Sequence, residues 1–253
     1  MLRLITRADD FGCARGANEA ILEACRGTFI QNVSVMAVGP YLEEGVEALK
    51  ETGACLGMHA VLNSEWDRIK WLPCSPKGEI TSLLTPEGEF PEATAWFLEH
   101  PPELSEVLRE FDAQLDRLTR LGLSISYVDM HMMPYKEIPG LREEMSRWIA
   151  EKGLIDHMPY YRTPEQFRPD RSTLLEEQAT YWEDWFRLFT EGTYFTLLHP
   201  FRFGEDSLLM GNRNVSTEWV AAHRDIEYRL LADGTLEQLA ERYHIRPTRY
   251  DEV

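Results

Sequence analysis

The hydrophobic and polar positions of the chain alternate between two periods. Short runs of aliphatic and β-branched residues predict strands, and longer segments with one apolar face predict helices. The predicted strands are 2–7, 32–38, 54–61, 125–131, 154–158, 193–198 and 244–250. The predicted helices are 18–26, 41–52, 103–121, 138–152, 174–191 and 216–232. Strands separated by helices of this length form parallel βαβ units.

This order of elements favours an α/β fold, specifically a modified (β/α) TIM-like barrel of about seven parallel strands. No G-x-G-x-x-G follows the first strand, so a dinucleotide site is not indicated. We expect residues 1–253 to form a single domain, since no linker or repeat interrupts them. Residues 63–102 carry six prolines and little periodicity, and we expect them to form a rim or lid.

Composition excludes several classes of function. The chain has 26 Lys+Arg against 43 Asp+Glu, a formal net charge of −17. Nucleic acid and anionic membranes both require a basic face, so neither is an expected partner. The four cysteines form no C-x-x-C pair, no apolar run is long enough to span a bilayer, and the first residues lack the features of a signal peptide. We therefore expect a cytoplasmic protein with free thiols.

Polar residues with catalytic potential lie where predicted strands end, the end that carries active sites in barrels. They are Asp9, Asp10, His59, Asp129, His131 and His199. Each alone has a structural interpretation, such as a turn or a hydrogen-bonded core histidine. Together, one carboxylate and two imidazoles are a common ligand set for a divalent metal. Successive strand residues face opposite ways, so Asp9 and Asp10 converge only if the strand breaks near Gly12.

Four motifs in this order resemble those of the YdjC/ChbG-type carbohydrate deacetylases, which are relatives of the wider polysaccharide deacetylases. The motifs are Ala8-Asp9-Asp10-Phe11-Gly12, Gly57-Met58-His59, Asp129-Met130-His131 and Leu198-His199-Pro200. The resemblance extends to residues 64–67 and 224–230. It departs at residues 132–134, Met-Met-Pro, where some relatives have a histidine-rich stretch, and the chitooligosaccharide substrate of the family is therefore not assumed.

The resemblance implies a modified barrel that binds one divalent metal and hydrolyses N-acetyl groups of amino sugars, releasing acetate. By position, Asp10, His59 and His131 would be the metal ligands. Asp9 would be the general base, and His199 would be the general acid or oxyanion partner. Zinc, magnesium, cobalt, nickel and manganese all suit a mixed aspartate and histidine site. The expected partner is a small acetylated sugar, and relatives suggest a homodimer.

Four further residues are expected to support the site. Trp66 and Trp71 have aromatic faces on which a sugar ring could stack. Arg224 is a candidate partner of Asp9, and Asp129 shares a strand face with His131. Each also has a plainer interpretation, as a packing or surface residue.

Two other functions remain open at the level of the sequence. One is a metal-dependent barrel hydrolase of another amide or a phosphate ester. A phosphoesterase would usually have more ligands, often two metals, and basic residues near the anion, and this chain is acidic. The other is a carbohydrate-binding barrel that has lost catalysis, although the base, the ligands and the acid are all present.

Overall fold

The computed structural model describes residues 1–163 and 172–253. Their strands are β1 (Leu2–Phe11), β2 (Asn32–Val35), β3 (Cys55–Ala60), β4 (Ile125–Met130), β5 (Ile155–Asp156), β6 (Gly192–Leu198) and β7 (Arg246–Thr248). The α-helices are α1 (Arg15–Ala24), α2 (Leu42–Lys50), α3 (Leu104–Arg120), α4 (Leu141–Glu151), α5 (Leu175–Phe186), α6 (Thr217–Ala232) and α7 (Thr235–Arg242). None of these helices is both long enough and apolar enough to cross a membrane.

All the strands of the described residues belong to one parallel sheet. Its order is β5-β4-β3-β2-β1-β6, and β7 pairs with the first half of β1. The sheet curls into a partial barrel with the helices outside, which confirms the predicted modified (β/α) barrel of seven parallel strands. Since every pair is parallel, all strands end at one face, and the predicted site residues lie at that face.

Three helices differ from the prediction by three residues or more at one end, and one further helix was not predicted. Helix α4 begins at Leu141, three residues after the predicted start at residue 138. Helix α1 begins at Arg15, three residues before the predicted start at Asn18. Helix α5 ends at Phe186 because the chain then turns and packs Phe189 against neighbouring rings. Helix α7 is only eight residues long, and a segment of that length shows too few apolar positions for a clear helical period.

Below the strand ends that carry the predicted site, the interior of the barrel is filled by side chains of the strands and of Tyr250. A cluster of Ile5, Cys55, Tyr127, Phe195 and Tyr250 is almost fully buried there. A Cβ on Gly57 would lie 2.2 Å from the Tyr127 ring, so the strand needs glycine at this position to admit the ring.

Residues 63–102 pack onto the barrel beside α3. They contain three short 3₁₀ helices, Lys77–Glu79, Thr81–Leu83 and Thr94–Leu98. On α3, the Glu110 carboxylate accepts hydrogen bonds of 2.9 Å from the backbone N–H groups of Cys74 and Ser75. Several apolar side chains of the segment join the main core, namely Trp66, Ile69, Trp71, Ile80, Leu83, Leu84, Phe90 and Phe97. In this structure the segment is therefore a packed part of the barrel wall.

Candidate metal centre

The end of β1 directs two adjacent carboxylates into the barrel mouth. Asp10 has a φ of 69°, and the register of β1 against β2 shifts between Ala8 and Phe11. This irregularity overrides the usual alternation of side chains along a strand. As a result Asp9 and Asp10 are both buried, with exposures of 2% and 3%. The break that their convergence requires is at Asp10 itself, before Gly12.

Three potential ligand atoms form a small triangle at this end of the sheet. The distance from His59 Nε2 to His131 Nδ1 is 3.2 Å, and Asp10 Oδ1 is 3.5 Å from each of these nitrogens. Ligand atoms about 2.1 Å from a tetrahedral metal are about 3.4 Å from one another. The triangle therefore has the dimensions of three corners of a metal coordination shell.

The bonding around the triangle also fits a cation. Asp10 Oδ1 is buried and has no hydrogen-bond partner among the described residues. His59 Nδ1 donates to Asp129 Oδ2 at 2.8 Å, and His131 Nε2 lies 3.0 Å from both carboxylate oxygens of Glu65. Metal-binding histidines usually donate their second N–H to a carboxylate in this way, which orients the ring and fixes the tautomer. The residues present thus suit a divalent metal.

Electrostatics at the triangle favour positive charge. Burial alone would lower the pKa of His59, but the charge of Asp129 raises it to about 10. Burial likewise opposes protonation of His131, yet the charge of Glu65 raises its pKa to about 9. Burial would raise the pKa of Asp10, whereas the Arg224 charge and the two histidines hold it well below its usual value. A metal ion would take the place of the two histidine protons.

Arg7 joins the candidate base to the carboxylate behind His59. Its Nε lies 2.5 Å from Asp9 Oδ1, and its Nη2 lies 2.8 Å from both Asp9 Oδ2 and Asp129 Oδ2. The guanidinium is 2% exposed and its carbon lies 4.8 Å from the centre of the Phe195 ring. The cluster of Asp9, His59 and Asp129 also has the dimensions of a ligand set, but Arg7 already supplies its positive charge.

The expected pairing of Arg224 with Asp9 is wrong. Arg224 Nη1 instead lies 3.0 Å from Asp10 Oδ2, the oxygen that faces away from the triangle. Helix α6 carries this side chain to β1, where Arg7 already bonds to both carboxylate oxygens of Asp9. Arg224 therefore supports a predicted metal ligand, and Arg7 supports the predicted base.

His199 follows β6 and lies in the wall of the same cavity as Asp9, His59 and His131. Its backbone N–H donates to Glu227 Oε2 at 2.6 Å, so α6 also fixes the start of this loop. Burial lowers the pKa of the His199 imidazole, and Arg224 acts in the same direction.

The cavity at the barrel mouth has a volume of about 590 Å³. Trp66 lines it, but this ring is 8% exposed and packs in the main core, so its stacking on a sugar stays a prediction. Trp71 is only 3% exposed, its indole N–H donates to the Asn63 carbonyl at 2.5 Å, and its ring packs edge-on against His131 at 5.9 Å. The Trp71 ring is therefore covered in this structure and packs against a predicted ligand, and its stacking on a sugar stays a prediction that the packing does not support.

Four residues of this site were missed or not recognised from the sequence. Arg7, Glu65, His157 and Glu227 all contact predicted site residues or line the cavity. Arg7 could have been found, because it lies two positions before Asp9 and so shares its strand face. Glu65 and Glu227 lie within residues 64–67 and 224–230, to which the resemblance extends, and this was the signal that could have identified them. No spacing relates either residue to the histidines.

Comparison with known proteins agrees with this geometry. The family model described as YdjC-like protein matches residues 3–197. A carbohydrate deacetylase of Oceanobacillus iheyensis is 30% identical over 131 residues, which cover 51% of this chain and 54% of the relative. A chitooligosaccharide deacetylase of Enterobacter sp. (strain 638) is 30% identical over 157 residues, which cover 60% of this chain and 57% of the relative. The chain thus spans little more than half the length of these two relatives.

A solved structure extends the similarity of fold over the whole chain. It is that of an Enterococcus faecalis V583 protein, described as a candidate cellobiose-phosphate cleavage protein. The TM-score is 0.76 at 20% identity, and the match covers 99% of this chain and 98% of the other. At this identity the match shows a shared fold.

Proposed function

Because the chain belongs to the YdjC-like family, as its four motifs predicted, we propose that it is a metal-dependent hydrolase that removes the N-acetyl group from an amino sugar or short oligosaccharide and releases acetate. One observation carries the proposal. His59 and His131, which form the triangle with Asp10, line the same cavity as a further carboxylate, Asp9. The names of the curated relatives support the same reaction.

Asp10, His59 and His131 would hold the metal, with ligand atoms already 3.2–3.5 Å apart. A divalent cation there supplies Lewis acidity toward the acetyl oxygen and lowers the pKa of water from about 15.7 to about 7. The carboxylates of Asp129 and Glu65 engage one nitrogen of each imidazole, so the other nitrogen of each ring would be the one available to hold a metal.

Asp9 is the residue best placed to accept the proton of the attacking water. Its carboxylate adjoins the triangle, lines the cavity and is held by two hydrogen bonds from Arg7. Those bonds fix its orientation, which matters because a general base must lie within hydrogen-bond reach of the proton it abstracts. Such proton transfers typically contribute about 10²–10⁴-fold to the rate.

His199 would deliver a proton to the departing nitrogen. Burial lowers the pKa of the His199 imidazole and so makes its protonated form a stronger acid. The proton that it delivers would be taken up from solvent before each turnover, and Asp9 would return the water proton to solvent afterwards. Its place in the cavity wall gives it access to the substrate. The hydrogen bond from its backbone to Glu227 fixes the loop that carries it.

A phosphate ester is the second candidate substrate, and the charges of the cavity argue against it. Among the described residues that line the cavity, the two guanidiniums are each paired with a buried aspartate. Neither is free to bind a phosphate. A barrel that binds sugars without catalysis is the third candidate.

The test is acetate and phosphate release from a panel of N-acetylated and phosphorylated sugars, together with elemental analysis of the protein. We expect acetate release by the metal-loaded protein, and one metal ion per chain. Asp9→Asn should keep the metal and lose about 10²–10⁴-fold in rate, whereas His59→Ala should lose the metal. Asp116→Asn, on the exposed face of α3, is the matched control for the first change.

Phosphate release without acetate release would support the second candidate, and sugar binding without turnover would support the third. Near-normal turnover by Asp9→Asn would contradict the assignment of the base.

A further inference from the structure

The chain takes a strained turn directly after the ligand candidate His131. Met132 and Met133 have φ values of 56° and 52°, so two consecutive residues other than glycine are left-handed. Such a residue is strained and persists only where the surrounding structure fixes it. Residues of this kind cluster at functional sites.

The turn brings both thioether side chains to the cavity of the metal centre. Met132 and Met133 line the same 590 Å³ cavity as Asp9 and His131. Met132 is 56% exposed, so its side chain is open to contact with a bound group. Trp66, Ala93, Met130, Leu197 and Val215 add further apolar surface to the wall.

An apolar wall beside the reacting atoms restricts the substrate. Sugar hydroxyls that lose water against methionine gain no hydrogen bond in return, which is unfavourable. An aliphatic group gains by the same contact, and the flexible, polarisable methionine side chain adapts to its shape. The pairing of Arg7 with Asp9 and of Arg224 with Asp10 leaves neither guanidinium free for an anionic group.

We propose that Met132 and Met133 form a subsite for an apolar group linked to the amino sugar, so that the substrate is an N-acetyl amino sugar glycoside with an aliphatic aglycone. This inference rests on the proposed deacetylation and names its substrate class. The exposed rim residue Asn214 remains available to the sugar, whereas the Glu92 carboxylate lies 3.4 Å from Arg213 Nη2.

The test is a series of methyl, butyl and hexyl β-glycosides of N-acetylglucosamine, with N,N′-diacetylchitobiose as the polar comparison. A fully buried methylene is worth about fourfold in affinity, and a half-covered one about twofold. We therefore expect KM to fall about eightfold from the methyl to the butyl glycoside while kcat changes little. Diacetylchitobiose should have a higher KM than the butyl glycoside.

Met132→Ser and Met133→Ser should flatten the dependence of KM on chain length while the metal content stays at the wild-type level. Leu98→Ser is the control, because Leu98 is a 66% exposed apolar residue that does not line the cavity, and it should keep the wild-type dependence. A KM independent of chain length in the wild type would overturn the proposal. So would a dependence that persists in both methionine variants.

Failure of the proposed reaction would be recognised separately, as no acetate release from any glycoside. In that case calorimetric titration of the zinc-loaded protein with the same glycosides still tests the subsite. An affinity that rises with the length of the alkyl group in the wild type, and no longer rises in the methionine variants, supports the subsite. An affinity that does not depend on the length of the alkyl group overturns it.

Discussion

Replacing Arg7 should both destabilise the fold and impair the reaction. Arg7 is 2% exposed and bonds to Asp9 at 2.5 and 2.8 Å and to Asp129 at 2.8 Å. Arg7→Met keeps much of the side-chain volume but leaves two buried carboxylates without their cation. Removing one partner of a buried ion pair costs about 3–5 kcal/mol, a large part of the total stability of about 5–15 kcal/mol.

The assay is urea unfolding of metal-free protein, with the slope of free energy against urea recorded for each variant. We expect Arg7→Met to lower the free energy of unfolding by about 3–5 kcal/mol. Arg7→Lys, which keeps the charge but cannot bond to both oxygens of Asp9 in the same way, should lie between Arg7→Met and the wild type.

A double-mutant cycle with Asp9→Asn isolates the pair. In the Asp9→Asn background Arg7→Met removes the guanidinium from Asp129 alone, which keeps its hydrogen bond from His59, so the loss should be smaller by about 1–3 kcal/mol. Acetate release by metal-loaded Arg7→Lys should fall through kcat, because Asp9 loses its fixed orientation. A loss below about 0.5 kcal/mol for Arg7→Met, typical of a surface substitution, would refute the argument. A variant whose slope of unfolding free energy against urea differs from that of the wild type would indicate a changed denatured state.

Three further predictions concern the metal and the barrel. Glu65→Gln weakens the partner of His131, so zinc affinity should fall about 10–100-fold; equilibrium dialysis measures this, and an unchanged affinity would contradict the contact. Gly57→Ala would place a Cβ 2.2 Å from the buried Tyr127 ring and should cost about 1–3 kcal/mol or more in urea unfolding. Gly78→Ala, with no atom within 4 Å of the new Cβ, is its control, and equal stability of the two would refute the clash. Despite burial, the charges of Asp129 and Glu65 raise the pKa values of the predicted ligands His59 and His131, so zinc must displace protons that the metal-free site binds at neutral pH. The apparent dissociation constant of zinc should therefore fall as pH rises from about 6 to about 9, whereas a constant value would contradict the assignment.

The fold could be predicted from the sequence because parallel strands and their helices differ in period and in length. The same regularity identified the strand ends, and with them Asp10, His59 and His131. Residues 155–156 form the shortest strand, and 235–242 the helix that was not predicted. Both are too short for periodicity to mark them clearly.

The contacts around the predicted ligands could not be predicted in the same way. Glu65 lies 66 positions from His131 in a segment without regular period, so only the fold brings them together. The sequence suggested Asp9 as the partner of Arg224, but the choice between two adjacent aspartates depends on how β1 turns at Asp10. The covering of Trp71 likewise depends on tertiary packing rather than on residue type.

The central claim is that Asp10, His59 and His131 bind one divalent cation at the mouth of the barrel. The most direct measurement is an anomalous difference map from crystals grown with zinc. We predict a single strong peak about 2.0–2.2 Å from Asp10 Oδ1, His59 Nε2 and His131 Nδ1. A map with no peak among these three atoms, or with zinc bound only elsewhere on the chain, would contradict the account.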